Sequence, residues 1–274
     1  MGKCIYCGKE AGFIKNRHKT CETNYNSGKR AIIESVSSKI TKTSDFQSFE
    51  NDIKKIAGQH YIKTNELACL LTKGFDNAVE TILEDGILTA EEETTLQKFK
   101  SYFNFNQDFI DRNNSLQKIS KASVLRKINE GKLPVCKHKI PGFFPFLLPE
   151  SEIPVWIFHD VDYYEQHVEN RAGNQGNSMK VAKGIYHRSG TFKGYPVKVD
   201  EMKHICPGSL SITNKHIYFS SSHKTFTIPF NKIVACDPYE DAVGIHIEKM
   251  SAKPQVFKDL DGWFIYNLLT NLNR

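Results

Sequence analysis

The spacing of apolar residues changes along the chain. From Ile32 through Ile33, Val36 and Ile40 they recur at helical period, and four further stretches repeat it. Phe46, Phe49, Ile53 and Ile56 follow Ser44-Asp45, a pair able to cap a helix start. Leu67, Leu70, Leu71, Phe75, Ala78, Val79, Ile82 and Leu83 form a longer stripe. Leu96, Phe99 and Phe103 follow Thr89-Ala-Glu-Glu92, a capping box in which each end satisfies the other's backbone N–H. The last of these helices carries Leu116, Ile119, Val124, Leu125 and Ile128 and ends near Gly131 and Pro134.

Beyond Pro134 the period becomes two. Leu210 and Ile212 alternate with Ser209, Ser211 and Thr213, Thr213-Asn214-Lys215 offers a turn, and Ile217 to Phe219 resumes the β-rich run. This predicts a hairpin within an antiparallel meander. Further short strands are predicted over 155–158, 161–168, 180–188, 195–205, 225–229, 233–236, 243–247 and 255–257. Asp261 then caps a helix whose apolar face holds Trp263, Phe264, Tyr266, Leu268, Leu269 and Leu272. Pro141, Pro145, Pro149 and Pro154 break up the apolar loop 142–148, which is expected to pack as a lid on the core. The class is therefore α+β, with a partly open antiparallel barrel over 134–274 closed by a C-terminal helix.

Composition adds one asymmetry. The chain has 274 residues, 39% of them apolar, and a formal charge of +6. Residues 1–43 hold nine Lys or Arg against Glu10, Glu22 and Glu34, which is the whole excess. Attraction for polyanions is thus expected at the N-terminal end, with Lys15, Arg17, Lys19, Lys29 and Arg30 as its carriers. Phe13 and Tyr25 stand among them for stacking, as a nucleic-acid-binding module would use them. The plainer alternative is that these lysines only keep a small module soluble. No run of about 18 apolar residues occurs, so no membrane-spanning helix is expected. The start of the chain, lacking an apolar run, does not read as a secretory signal.

Seven cysteines, three of them in the first 21 residues, make a poor disulfide framework and suit a reducing cytoplasm with one metal site. Cys4-Ile-Tyr-Cys7-Gly8 is a Cys-x2-Cys knuckle whose glycine lets the backbone turn. His18 and Cys21 supply a second pair two residues apart. Three thiolates and an imidazole suit tetrahedral Zn²⁺ with no open position, a structural site over residues 1–27 followed by a helical segment over 28–133. The segment resembles short zinc fingers of the Cys-Cys-His-Cys kind, some of which bind nucleic acid and others protein.

Asp85-Gly86-Ile-Leu-Thr89-Ala-Glu-Glu92 invites an EF-hand reading. With Gly86 at the sixth loop position, however, Thr81 and Leu83 occupy the first and third, where carboxylates are needed. It instead resembles the Asp-Gly-x-x-(Ser/Thr)-x-x-Glu helix hairpin of the tellurite-resistance B-like helical family, which implies an all-α module attached to stress or conflict systems. In the sheet region, Gly208-x-Leu210-x-Ile212-Thr213-Asn214-Lys215-x-Ile217-Tyr218-Phe219 and Phe226-x-Ile228-Pro229-Phe230-x-Lys232-Ile233 resemble the core of GRAM-type pleckstrin-homology-like domains. The whole chain is similar to bacterial proteins that join a zinc knuckle to such a domain and end in a sequence like Asp261-Gly262-Trp263-Phe264. The resemblance implies a non-catalytic recognition fold for phosphoinositides or protein segments. His216, standing where the basic residue before the Ile-x-Phe strand is usual, turns the expectation from lipid towards a protein or peptide partner.

The rival reading is a metal-dependent hydrolase built on His159, Asp160 and Asp162. Strand geometry sends His159 to one face and the two aspartates to the other, so a surface hairpin is the better account. Cys136 and His138 lack a second ligand pair, and no nucleophile elbow, phosphate loop or dinucleotide fingerprint is present. The expectation is a cytoplasmic, non-enzymatic binding protein, an adaptor in a bacterial stress or defence system. Its alternatives are a nucleic-acid-binding regulator acting through the basic finger and the hydrolase.

Overall fold

The computed structural model describes residues 2–12, 14–43, 45–105, 114–134, 146–172, 177–182, 185–189, 196–248 and 254–272. Two compact units divide the chain, Met1–Glu130 and Gly131–Arg274. The knuckle and the helical segment share the first unit, because one helix runs straight through the junction at residues 27 and 28.

Unit one opens with a two-stranded antiparallel ribbon, β1 (Gly2–Lys3) and β2 (Glu10–Gly12). Helices α1 (Lys19–Lys39), α2 (Phe46–Gln59), α3 (Thr64–Ile82), α4 (Ala90–Tyr102) and α5 (Ser115–Asn129) follow. The predicted caps are present. Asp45 accepts from the Ser48 N–H at 3.0 Å, and Thr89 and Glu92 form the reciprocal capping box; the other proposed cap, Ser44, lies outside the described residues.

The stripes read from the sequence meet in one core. Ile32 and Val36 of α1 and its C-cap Ile40 pack with Phe49 and Ile53 of α2, Phe75 and Val79 of α3, and Leu96 and Phe99 of α4. Close packing of α1 relies on missing side chains. A Cβ on Gly28 would lie 2.2 Å from the His60 Cβ. Helix α5 is fastened by polar side chains: Ser115 donates to the buried Asp76 at 2.7 Å and Ser123 to Glu93 at 2.8 Å, while Arg126 pairs with Glu93. The loop ahead of α4 is a tight turn. Asp85 accepts its own chain's Ile87 N–H at 2.9 Å, and Gly86 turns the backbone at φ +74°.

Unit two is built on a seven-stranded antiparallel sheet. Its strands are β3 (Pro154–Ala172), β6 (Pro196–Thr213), β7 (His216–Ser220), β8 (Thr225–Pro229), β9 (Ile233–Pro238), β10 (Ala242–Ile247) and β11 (Gln255–Lys258). They lie in the order β8-β7-β6-β3-β11-β10-β9, so the end strands β8 and β9 are not paired with each other and the sheet does not close into a barrel. A separate ribbon pairs β4 (Asn177–Ala182) with β5 (Ile185–Ser189), and α6 (Gly262–Leu272) ends the chain.

The expected hairpin forms with Ser209 opposite Ser220 and Ile212 opposite Ile217. Two expected breaks do not. Segments 155–158 and 161–168 are one strand, β3, and 195–205 and 208–213 merge in β6. The His159–Asp160 step is therefore a bulge inside β3 rather than a surface hairpin: pairing shifts between Phe158 and Val161, and Asp160 takes φ +55°. Pro207 is tolerated in β6 because β7 pairs only with residues from Ser209 onward, which leaves the proline an open side.

Tyr163, Phe219, Phe226 and Phe257 fill the inside of the sheet with ring centroids 5.1 to 6.3 Å apart. Helix α6 buries Phe264, Ile265, Leu268 and Leu269, with Phe264 edge-on to Trp156 of β3 at 4.8 Å. Of the apolar loop 142–148, residues 142–145 lie outside the described residues. Phe146 is buried against Tyr218, and Leu147 is fully exposed.

Candidate metal centre

The knuckle is shaped by backbone bonds before any ligand is considered. The Cys4 N–H donates to the Lys9 carbonyl at 2.7 Å, the Gly8 N–H returns to the Cys4 carbonyl at 2.9 Å, and Gly8 has φ +73°. The Ile5 N–H reaches the Asn16 carbonyl at 2.9 Å, which draws the chain ahead of α1 back over the turn. His18 is the N-cap of α1, and Cys21 lies in its first turn.

These constraints place the ligand atoms of Cys4, Cys7, His18 and Cys21 within 4.8 Å of one another. The His18 Nδ1 is 3.4 Å from the Cys7 Sγ and 3.6 Å from the Cys21 Sγ. The opposite ring N–H donates to the Glu10 carbonyl at 2.9 Å, which fixes the tautomer and leaves Nδ1 to face the thiols. The His18 N–H points at the Cys4 Sγ at 3.5 Å.

The electrostatics match a cation site. Burial raises the Cys4 thiol, but the backbone N–H groups of Cys7, His18 and Tyr6 outweigh it and bring the group down to about 6. Cys21 is pushed up, first by burial and then by the thiols of Cys7 and Cys4. His18 is raised by the Glu10 carbonyl and then by Cys7. Three thiolates facing one point would repel one another, and a bound cation would relieve that repulsion. The group can thus hold a metal ion.

An aromatic wall surrounds the centre. Tyr6 lies 4.8 Å from Tyr25 and 6.5 Å from Tyr61, the Tyr25 hydroxyl donates to Glu66, and the Lys29 ammonium sits 5.1 Å from the Tyr25 ring. Tyr61 adopts φ +58° at the junction of α2 and α3, and the Cys21 thiolate beside it holds its phenol up. Sequence spacing could not have found Tyr6 and Tyr61: they reach the site through chain turns rather than a motif.

The basic residues proposed for polyanions are spread around this centre. Lys15, Arg17, Lys19 and Arg30 are exposed, Arg17 pairs with Glu22 at 2.9 Å, and Lys29 is half-buried on Tyr25. The stacking candidate Phe13 lies outside the described residues, as do Cys136 and His138.

His159, Asp160 and Asp162 are not drawn together around an ion. The His159 ring is 3.3 Å from the Ser209 hydroxyl and Asp162 pairs with His204 at 3.0 Å, while the only cluster of metal-ligand side chains among the described residues is the knuckle. The bulge leaves His159 and Asp160 both exposed and buries Val161. A buried carboxylate went unread in the sequence. Glu152 receives the hydroxyls of Thr213 and Tyr218, each at 2.9 Å, and meets the His216 ring at 2.7 Å. Ile153 and Asn214 exchange two further bonds at 3.0 and 3.1 Å, locking the lead into β3 onto the hairpin turn.

Among the described residues no helix is long and apolar enough to cross a membrane. No protein-family model matches the chain, and no curated protein matches it.

Proposed function

We propose that the protein is a non-enzymatic, modular binding protein in which a structural Zn²⁺ staples the amino end onto a helical bundle and residues 134–274 form a GRAM/pleckstrin-like recognition domain. The observation that carries the first half is the convergence of three sulfurs and one nitrogen within 4.8 Å. Tetrahedral Zn²⁺ with Zn–S near 2.3 Å and Zn–N near 2.0–2.1 Å needs sulfur–nitrogen edges of about 3.6 Å. The observed 3.4 and 3.6 Å fit that requirement. Cys4, Cys7, His18 and Cys21 would hold the ion, which supplies folding energy. With four protein donors no coordination position is left for a substrate, so the site is structural.

The second half is supported by topology. Numbered along the meander, the seven strands lie in the order 4-3-2-1-7-6-5 and a C-terminal helix follows, the layout a pleckstrin-like domain calls for. His216 is engaged by Glu152 instead of standing free for a phosphate, which favours a protein or peptide ligand over a lipid headgroup. The resemblance of the helical segment around Asp85–Glu92 to the tellurite-resistance B-like family is what supports an adaptor role in a stress or defence system.

The test is metal content of the purified chain by mass spectrometry. About one equivalent of zinc is expected, falling to near zero in Cys4→Ser. A metal-free parent that keeps its helix content would overturn the reading.

One observation favours nucleic acid as a second ligand: Lys15, Lys19 and Arg30 are exposed and have no carboxylate partner among the described residues. Deleting residues 1–43 would not test this, since it removes Ile32, Val36 and Ile40 from the core. The triple change Lys15→Glu, Lys19→Glu, Arg30→Glu keeps the core. It should abolish any salt-sensitive binding to single-stranded oligonucleotides; equal binding by the variant would end the idea.

A further inference from the structure

The two end strands of the sheet, β8 and β9, pair with no further strand among the described residues and are built differently. In β8 the Phe230 N–H donates to the Lys215 carbonyl at 3.0 Å and the Ser221 N–H to the Lys224 carbonyl at 2.9 Å. These bonds flank the pairs His216–Pro229 and Ser220–Thr225, so both are non-hydrogen-bonded pairs, and alternation makes Tyr218–Thr227 a third. The N–H and C=O of Thr225 and Thr227, with the C=O of Pro229, therefore point away from β7, evenly spaced along the outer edge. The strand, Thr-Phe-Thr-Ile-Pro, has neither a bulge nor a charged residue.

In β9 the corresponding bonds, Tyr239 N–H to Ala242 and Glu248 N–H to Lys232, each 2.8 Å, mark Pro238 and Ile233 as outward-facing. The register slips at Val234, however, so the outward groups fall unevenly at Ile233, Cys236 and Pro238. A bulge and a proline are devices that blunt an edge against pairing. Nothing comparable interrupts β8 before its last residue.

A cavity of about 310 Å³ runs beside β8. Phe226, Thr227, Ile228 and Pro229 all line it in succession, with Ile247 and Gln255 opposite. A void over one face of a strand would touch alternate residues; one that touches consecutive residues lies against the backbone edge. Across it, the buried Gln255 Oε1 has no hydrogen-bond partner among the described residues.

We propose that this slot receives an extended segment of a partner protein, which adds to the sheet as a strand on β8. Its main chain pairs with Thr225, Thr227 and Pro229, an apolar side chain faces Phe226, Ile228 and Ile247, and a carboxylate meets Lys232. Lys232 suits that exchange because its present partner, Glu248, is 3.5 Å away and both side chains are more than half exposed, at 56% and 67%. A second copy of this chain fits less well, since antiparallel pairing of two β8 strands about Thr227 brings the end of one strand that carries Lys224 towards the end of the other that leads to Lys232. The inference rests on the recognition-domain reading and adds to it the edge and the ligand's chemistry.

A library of random displayed dodecapeptides panned on the full chain supplies the probe. Selected peptides should alternate apolar residues and carry an acidic residue near one end. Thr227→Pro removes one outward donor and no bond to β7, and Phe226 before it is already extended. It should weaken the selected peptides about tenfold, whereas Thr227→Val, which keeps the N–H, should stay within about twofold. Thr225→Pro repeats the test at the other outward donor if the first variant unfolds. Equal binding by the proline variants would overturn the site and leave the recognition reading standing. A library that yields no binder would overturn both. A parent that sediments as a dimer, and as a monomer with Thr227→Pro, would replace the partner with a second copy.

Discussion

Among the described residues from 2 to 18 a single side chain is buried, the Cys4 thiol; in the sheet unit Tyr163, Phe219 and Phe257 alone place three aromatic rings out of reach of solvent. The knuckle therefore has almost no apolar surface with which to offset chain entropy, and the sheet has ample. Under the proposed function coordination would hold the first in place, while burial holds the second. One consequence is that the same perturbation should act on only one of them.

Metal removal should have the largest effect. A chelator at neutral pH, or Cys21→Ser, should free residues 2–18 and the first turns of α1 and cost several kcal/mol, lowering that unit's thermal transition by roughly 10 °C or more. Hydrogen exchange should rise sharply from residue 2 to about Ile32, while amides in β7 and β10 keep their protection. Uniform loss of protection in both units would break the contrast. The reverse experiment is Phe257→Ala, which empties a position between Tyr163, Phe219 and Phe226. A loss of about 3–5 kcal/mol is expected in denaturant unfolding of the sheet, with zinc content unchanged.

A smaller change tests how the metal end is anchored. The Gly28→Ala methyl would collide with the His60 side chain, whose ring nitrogen lies 2.8 Å from the Asn24 carbonyl. His60 precedes Tyr61, which lines the metal centre, so α1 cannot back away without moving that wall. A loss of about 1–3 kcal/mol in chemical denaturation is expected, together with a weaker metal affinity measured by competition with a chromophoric chelator. Affinity equal to the parent's would mean that the knuckle tolerates a shift of α1.

How much of this was legible depended on the range of the physics. The Thr89–Glu92 box and the Asp45 cap act between residues three apart and could be read directly, as could the grouping of Cys4, Cys7, His18 and Cys21, whose spacing is set by one turn and one helix start. The Thr213–Lys215 turn was legible for the same reason. Illegible were features fixed by distant pairing. The bulge at Asp160 depends on which residues of β6 stand opposite, and without it 155–168 looks like two strands around a polar break. Tyr61 and Tyr6 join the metal centre because the α2–α3 junction folds back over the knuckle, and no local pattern announces that. Glu152 resembles any surface acid until the hairpin closes over it.

The finest test concerns two tyrosines that donate to carboxylates, one in each unit. Tyr25 donates to Glu66, and that bond, followed by burial, pushes its phenol up to about 12; for Tyr218 burial comes first and Glu152 second, with the same result. In both the folded-state value lies above the unfolded one, so the neutral phenol is the favoured form. Its stabilising contribution is complete below pH 10 and is lost as pH rises from about 10 to about 12. An ultraviolet titration should show both phenols ionising late. The order of causes then separates them. Glu66→Ala removes the leading cause for Tyr25 and should bring its titration back close to the ordinary tyrosine range, whereas Glu152→Ala leaves burial as the leading cause for Tyr218 and should bring that phenol only part of the way. If both returned equally, burial in the sheet would not be what distinguishes Tyr218, and the contrast between a coordinated end and a buried core would lose its smallest support.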